Sequence, residues 1–115
     1  MSSKYPELTT QLSHHIGNLH KTIPTTAQAF SNLAQAATAN GALDQKTKEF
    51  IALGIGVATH CEGCIGFHTK KLLSLGATRE EVMEVLGVTI YMGGGPALMY
   101  AAEAEQAFTE FAAAV

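Results

Sequence analysis

Hydrophobic residues recur along this chain at intervals of three and four, the spacing that places side chains on one face of an α-helix. No segment shows the strict alternation of apolar and polar residues that marks a half-buried strand. Glycine, proline and helix-capping residues interrupt the pattern and divide it into six segments. The sequence therefore predicts an all-α fold of about six helices, in a single domain that spans residues 1–115.

The first two predicted helices are divided by Pro24. The first runs from Glu7 to Lys21, and the second opens at a Thr25-x-x-Gln28 capping box and closes at a left-handed Asn40-Gly41 stop. Both have an apolar stripe that should face the core. The stripe consists of Leu8, Leu12, Ile16 and Leu19 in the first helix and of Ala27, Phe30, Leu33, Ala34 and Ala37 in the second.

The third predicted helix runs from Gln45 to Ala58 behind an Asp44 cap. From Phe50 onward it is apolar on nearly all sides, which predicts that it is the buried central helix. Gly54 and Gly56 lie within it, and each costs up to about 1 kcal/mol of helix propensity relative to alanine. Such glycines indicate that a neighbouring backbone passes close by.

The remaining three helices are separated by turns that contain glycine. The fourth, capped by Thr59 or His60, carries both cysteines and ends at Gly76. A Thr78-x-x-Glu81 capping box opens the fifth, and a Gly93-Gly94-Gly95-Pro96 break separates it from the sixth. The residues expected to face inward are Val82, Val85, Leu86, Thr89 and Ile90 in the fifth helix and Ala97, Tyr100, Ala101, Ala104, Phe108 and Phe111 in the sixth.

Composition narrows the classes of function. The chain has 115 residues, a net charge of −3 and no run of lysine or arginine, which argues against binding to nucleic acid or to an anionic membrane. No apolar stretch reaches the ~18–20 residues that span a bilayer. The opening residues, Met1 to Pro6, contain no apolar segment of the kind found in signal peptides. We therefore expect a cytoplasmic protein.

The candidate chemistry is concentrated in Cys61-Glu62-Gly63-Cys64 and in His68. Helical spacing places the two cysteines and the histidine on one face, which continues as the apolar stripe Ile65, Leu72 and Leu75 and should point inward. Two adjacent thiols beside an imidazole form a redox unit, in which one thiolate attacks, the other resolves and the histidine transfers the proton. The chain has only these two cysteines, so theirs is the one disulfide that it can form within itself.

The position of the motif strengthens this interpretation. In the first turn of a helix, unpaired backbone N–H groups and the helix dipole stabilise a thiolate. If the third and fourth helices fold back on each other around Thr59-His60, Glu49 and His68 differ by only about 5 Å along the axis. A carboxylate there would orient the imidazole and help it to take a proton from Cys64. The alternative is that Glu49 is an exposed acid in the first turn of its helix.

The motif has other possible interpretations. The cysteines and His68 could be ordinary core residues. They could bind zinc together with His60, although a closed structural zinc site normally takes ligand pairs from two separate segments. A c-type haem site requires histidine directly after the second cysteine, where this chain has Ile65. A thioredoxin fold requires βαβ alternation, which the sequence lacks.

The spacing Glu49-x11-Cys61-x2-Cys64-x3-His68, with the later break from Gly93 to Ala97, resembles the carboxymuconolactone decarboxylase superfamily on its AhpD-like alkylhydroperoxidase branch. The resemblance covers about Gln45 to Phe111, over half of the chain. It implies an all-α fold that assembles into trimers or hexamers, and a thiol peroxidase activity. Decarboxylase members generally lack the cysteine pair, which argues against the lactone reaction here.

The resemblance also implies roles for individual residues. Cys64 would be the peroxidatic thiol and Cys61 the resolving thiol, while His68 and Glu49 would form the proton relay. In the best-known members another histidine lies between the cysteines; this chain has Gly63 there, and His60 is the candidate replacement. No cofactor is expected beyond the Cys61–Cys64 disulfide, which an external dithiol of the dihydrolipoyl or thioredoxin type would reduce.

We therefore expect a thiol-dependent peroxidase that reduces hydroperoxides in antioxidant defence. The alternatives are a disulfide oxidoreductase without appreciable peroxidase activity and a non-redox helical oligomer whose cysteines are buried or bind zinc. A short alanine-rich chain with so apolar a third helix also predicts a symmetric homo-oligomer with the redox pocket near a subunit boundary. The resemblance points the same way, towards a trimer or hexamer. The expected contact surfaces are the sixth helix, with Tyr100, Phe108 and Phe111, and the first, with His14, His15 and His20.

Overall fold

The computed structural model describes residues 3–115 and contains six α-helices within that range. They are α1 (Lys4–Thr22), α2 (Pro24–Thr38), α3 (Gln45–Ala58), α4 (Glu62–Ser74), α5 (Arg79–Gly93) and α6 (Gly95–Ala113). No strand is present in the described part of the chain, and the all-α prediction is confirmed. Met1 and Ser2, which belong to the segment used to argue against a signal peptide, lie outside the described residues. None of the helices is long and apolar enough to cross a membrane.

The central helix is α6, which contacts α1, α3, α4 and α5. Its small buried residues, such as Ala101 and Ala104, let neighbouring helices approach closely, and Phe108 and Phe111 fill the core beside them. The expectation that α3 is the buried central helix is therefore wrong. Only one side of α3 is buried, and Ile55 on the other side remains 58% exposed. Because Phe108 and Phe111 are buried within the protomer, they cannot form the predicted subunit contact.

Local capping signals were predicted with mixed success. The Asp44 side chain accepts a hydrogen bond from the Thr47 N–H (2.8 Å) and caps α3, and the Thr78–Glu81 capping box at α5 is complete. The Thr25 box is wrong, because α2 begins at Pro24 directly after α1, with Ile23 between them and no side-chain cap.

The ends of the first two helices also differ from the prediction. α1 begins at Lys4, three residues before the predicted Glu7, with Pro6 in its first turn, where proline costs no hydrogen bond. The Asn40-Gly41 stop is wrong, because α2 ends at Thr38 and Ala39 is extended. The Asn40 side chain instead accepts a hydrogen bond from the Gln45 N–H (2.8 Å), at the start of α3.

The hairpin of α1 and α2 carries apolar residues that the protomer does not cover. Leu8 and Leu12 of α1 pack against the body, whereas Leu19 near its end is half exposed. In α2, all of which is described, no residue is buried, and Phe30 and Leu33 are 65% and 64% exposed. The prediction that the α2 stripe faces this protomer's core is therefore wrong. The amphipathic pattern is real, but nothing in the described part of the protomer buries it.

The beginning of α1 is anchored on α4 and α6 by a buried tyrosine and a lysine. Tyr5 is fully buried, its hydroxyl donates to Glu103 (2.5 Å), and burial raises its pKa above the ordinary value. The Lys4 ammonium bridges Glu103 (2.7 Å) and Glu62 (2.6 Å). The hydrogen bond to Lys4 lowers the pKa of Glu103, and the same bond raises the pKa of Lys4. α1 therefore lies across α4, on which the cysteines are found.

We expect Gly66→Ala to destabilise the fold, because Gly66 of α4 lies directly beneath α1. An added Cβ would lie 2.7 Å from Thr9 Cγ2 and 3.3 Å from Tyr5 Cδ1. The buried Thr9 is stiff at χ1 and cannot turn aside, so the overpacking should cost about 1–3 kcal/mol of unfolding free energy, measured by urea denaturation at one protein concentration.

Gly17→Ala is the matched control. Gly17 lies inside α1, where an added Cβ meets no atom within 4 Å. Its replacement should stabilise the protein by up to about 1 kcal/mol, because alanine is the better helix former. Equal effects of the two substitutions would contradict the close packing of α1 on α4.

Candidate redox site

A short turn between α3 and α4 places the cysteines. α3 ends where the Thr59 N–H donates to Ile55 O (2.8 Å), and His60 then takes a left-handed conformation with φ of 59°. The Cys61 N–H donates back to Gly56 O (2.9 Å). Cys61 itself is the N-cap of α4, and its sulfur accepts a hydrogen bond from the Cys64 N–H (3.2 Å). The predicted cap at Thr59 or His60 is therefore wrong by one or two residues.

Cys61 and Cys64 form a disulfide at the start of α4. Their Cα atoms are 5.2 Å apart, within the usual range for disulfides. Cys64 packs closely on α3, since a Cβ built on Gly56 would lie 3.0 Å from Cys64 Cβ. The glycine signal in the third helix therefore marks a close contact with the cysteine helix. Ile65 and Leu72 are fully buried as predicted, whereas both cysteines are half-buried, so the pair lies at the edge of the core.

The structure brings Glu49 and His68 into direct contact. The Glu49 Oε2 lies 2.5 Å from His68 Nδ1, with the glutamate side chain 7% exposed and the imidazole 30% exposed. Glu49 is therefore not the exposed acid of the alternative interpretation. When Nδ1 carries the proton it donates to the carboxylate, which leaves Nε2 at the outer end of the ring free to accept a proton. His68 follows Cys64 by one helical turn.

His60 is placed differently from the other candidates. Its ring stacks on Tyr100 of α6, with ring centroids 4.5 Å apart and the planes 9° from parallel. Among residues 3–115, no side-chain hydrogen bond joins His60 to Glu49, His68 or either cysteine. The structure thus assembles four of the five predicted site residues and directs the fifth towards α6.

The packing of α1 explains why Gly63 can occupy the position between the cysteines. A Cβ built there would lie 3.0 Å from Leu12 Cδ1, so α1 fills the space that a larger side chain would need. Within the described range, no group of three or more histidine, cysteine or acidic side chains is arranged to hold a metal ion. The zinc alternative therefore lacks a ligand set in this structure.

Two features near the site were missed in the sequence. Lys4 binds the carboxylate of Glu62, the residue that follows Cys61, although the two lie far apart in the chain. Tyr100 was recognised only as an apolar residue of the sixth helix, yet it contacts the residue before Cys61. Neither contact has a local sequence signal, because each depends on how α1 and α6 pack against α4.

An apolar groove of about 490 Å³ lies between α3 and α5. Several of its apolar residues are exposed, with Val88 64% and Met92 75% exposed. The groove is lined mainly by Phe50, Ile51, Ile55, Val85, Val88 and Met92. An exposed apolar groove of this kind is a surface that another apolar surface could cover.

Comparison with known proteins agrees with this architecture. The family model described as the carboxymuconolactone decarboxylase family matches residues 24–107. A carboxymuconolactone decarboxylase family protein from Legionella pneumophila has 54% sequence identity and a TM-score of 0.94, over 96% of this chain and 98% of that one. A family member from Thermotoga maritima, with a possible role in the antioxidative response, has 25% identity and a TM-score of 0.82, over 91% and 90% of the two chains. An uncharacterised protein from Cupriavidus necator is 41% identical over 83% of this chain and 84% of its own length.

Proposed function

The chain belongs to the carboxymuconolactone decarboxylase family, and we propose that within it the protein is a thiol-dependent peroxidase of the alkylhydroperoxidase-like kind. One observation carries this proposal: a disulfide at a helix N-terminus lies one turn from an imidazole that a buried glutamate orients. The antioxidative role suggested for the Thermotoga maritima relative is of the same class. The substrate would be a hydroperoxide, and the function would be antioxidant defence in the cytoplasm.

The proposed cycle starts from the reduced pair. The Cys64 thiolate attacks one peroxide oxygen, the O–O bond breaks, and the alkoxide or hydroxide leaves and takes up a proton. Cys64 is then a sulfenic acid. The Cys61 thiolate attacks that sulfur, expels the hydroxyl as water and closes the disulfide. An external dithiol of the dihydrolipoyl or thioredoxin type returns two electrons and two protons to the pair and is itself oxidised to a disulfide.

Neighbouring groups support Cys64 as the attacking thiol. Cys64 is the third residue of α4, where free N–H groups and the positive end of the helix dipole favour a thiolate. His68 is one turn away and can take the thiol proton at Nε2, while Glu49 holds Nδ1. Cys61 lies outside the first turn as the N-cap and is two turns from His68, which suits the resolving role.

A disulfide oxidoreductase without appreciable peroxidase activity is the second candidate. The observation in its favour is that the proposed proton relay contains fewer histidines than in the best-known family members. His60 stacks on Tyr100, and Leu12 fills the space beside Gly63. His68 is then the only imidazole that the structure places beside Glu49. One imidazole suffices for thiol–disulfide exchange, whereas peroxide reduction also has to supply a proton to the leaving oxygen.

The two cysteines should not be equivalent. Cys64→Ser should abolish peroxide consumption, because it removes the attacking thiolate. Cys61→Ser should react once and stop as a sulfenic acid that dimedone traps, which mass spectrometry would detect on Cys64. The assay should use several hydroperoxides with both dihydrolipoyl and thioredoxin-type reductants.

The opposite pattern, in which Cys61→Ser blocks the first oxidation and Cys64→Ser does not, would reverse the assignment. Thiols that remain reduced in the wild-type protein after stoichiometric hydroperoxide would reject the peroxidase. Reduction of a disulfide substrate by the same preparation would then support the second candidate.

Glu49→Gln should make Cys64 less reactive at neutral pH. Without the carboxylate, the His68 ring loses the partner that orients it, so it takes the proton of Cys64 less readily. In the Cys61→Ser background, the midpoint of iodoacetamide alkylation against pH should rise by on the order of one unit. Glu84→Gln, which removes an exposed acid of α5, is the control and should leave the midpoint in place. An unchanged midpoint in Glu49→Gln would remove Glu49 from the relay.

We also propose that the protein is a symmetric homo-oligomer, a trimer or a hexamer. The uncovered apolar surfaces support this: the α2 stripe with Phe30 and Leu33, and the groove between α3 and α5. Both are exposed apolar surfaces of the kind that mark protein–protein contacts. The contact surfaces proposed on this basis are α2 with the end of α1, and the α3–α5 groove.

Light scattering should report a mass several times the 12.1 kDa of the chain at micromolar concentration. Phe30→Glu should reduce that mass, because it places a charge in the proposed contact. Gln35→Glu adds the same charge on an exposed polar position of α2 and should leave the mass unchanged. A monomeric wild-type protein would reject the proposal.

A further inference from the structure

The residue before Cys61 holds an unusual backbone conformation. His60 has φ of 59° and is the one non-glycine residue with positive φ within residues 3–115. Histidine tolerates the left-handed region better than most residues, but the conformation still has to be supported by its surroundings. The direction in which the chain enters Cys61 depends on this conformation.

The support comes from Tyr100. Its ring lies nearly parallel to the His60 imidazole at a centroid distance of 4.5 Å. Tyr100 is half-buried and packs against the core from α6, the helix that contacts most of the others. An exposed turn is thereby joined to the packed core by a stacked ring pair.

Cys61, the next residue, is held by two hydrogen bonds of its own. Its N–H is bonded to Gly56 O (2.9 Å) at the end of α3, and its sulfur caps α4 at the Cys64 N–H (3.2 Å). The His60–Tyr100 stack acts on the residue directly before Cys61. It therefore restricts where the Cys61 sulfur can lie relative to Cys64.

We propose that Tyr100 is a positioning residue that acts through His60 to hold Cys61 ready to close the disulfide with Cys64. The inference deepens the proposed function, since it rests on redox use of the cysteine pair. It assigns His60 to positioning instead of proton transfer. Tyr100 need not touch the substrate or either sulfur for this role.

The effect should appear in the equilibrium between dithiol and disulfide. In the disulfide form, the covalent bond itself restrains the turn. In the dithiol form, only noncovalent contacts restrain the turn and the stack is one of them, so removing it gives the turn more freedom mainly in that form. Without the stack, forming the disulfide has to order a turn that is more mobile in the dithiol. The equilibrium should therefore shift towards the dithiol.

The test is a redox titration of the purified protein with dithiothreitol and its oxidised form, with the fraction of Cys61–Cys64 disulfide read by thiol labelling and mass spectrometry. Reduction transfers two electrons and two protons from dithiothreitol, whose sulfurs close into a ring disulfide. Tyr100→Leu fills much of the ring's volume without stacking and should favour the dithiol by about two- to tenfold. A tenfold change corresponds to about 30 mV. Tyr100→Phe keeps a ring that can stack and should remain within twofold of the wild type.

A second comparison shows whether the effect passes through His60. His60→Gly removes the imidazole while allowing positive φ. In that background Tyr100→Leu should cause no further shift. A wild-type equilibrium in Tyr100→Leu, measured on protein with a native circular dichroism spectrum, would overturn the proposal. The proposal would also be overturned if Tyr100→Leu caused as large a shift in the His60→Gly background as it does in the wild type.

The titration contains no peroxide, so it is separate from the test of the proposed activity. A chain that fails to consume hydroperoxide but shows the predicted shifts retains the positioning role and loses the peroxidase. If the wild-type protein turns over peroxide normally but Tyr100→Leu leaves the equilibrium unshifted, the peroxidase is retained and the positioning role is lost. If Tyr100→Leu does not fold, the same titration of His60→Gly decides, since that change lies in an exposed turn and should produce a comparable shift.

Discussion

The close approach of α3 and α4 is the constraint on which the site depends. Gly56 has no side chain, and this lets the cysteine helix pack with Cys64 Cβ only 3.0 Å from where a Cβ of residue 56 would lie. A reversal of three residues then brings the two helices back along each other. Glu49 and His68, separated by 18 intervening residues, meet at 2.5 Å as a result. A bulkier residue 56 would separate the helices and with them the carboxylate and the imidazole.

This explains which parts of the structure could be predicted. α3, its Asp44 cap and the α5 capping box follow from residues within four positions of each other, and each was located correctly. The Glu49–His68 contact could be predicted because helical rise fixes distances within a hairpin once the turn is known. These features need only local geometry or one assumption about adjacent helices.

The wrong predictions concern features that depend on how elements distant in the sequence pack against each other. The apolar pattern of α3 does not reveal which of its faces this protomer covers, and it therefore predicts α3 as the central helix although α6 has that place. The stripe on α2 predicts a buried face, but not that the protomer leaves that face exposed. His60 was considered beside the cysteines because it adjoins them in sequence. The left-handed turn directs its ring instead to Tyr100, 40 residues further along the chain.

The position of α1 has a chemical consequence for the site. Tyr5 and Lys4 fix the start of this helix to α6, and Leu12 then covers Gly63 between the cysteines. The same packing leaves His68 as the imidazole that Glu49 holds, and it places the Lys4 ammonium on the carboxylate of Glu62, next to Cys61. A negative charge beside a thiolate opposes ionisation, so a cation paired with that charge reduces the penalty. The anchoring helix therefore does more than cover the core: it fills the space beside Gly63 and places a cation on the acid next to the cysteine pair.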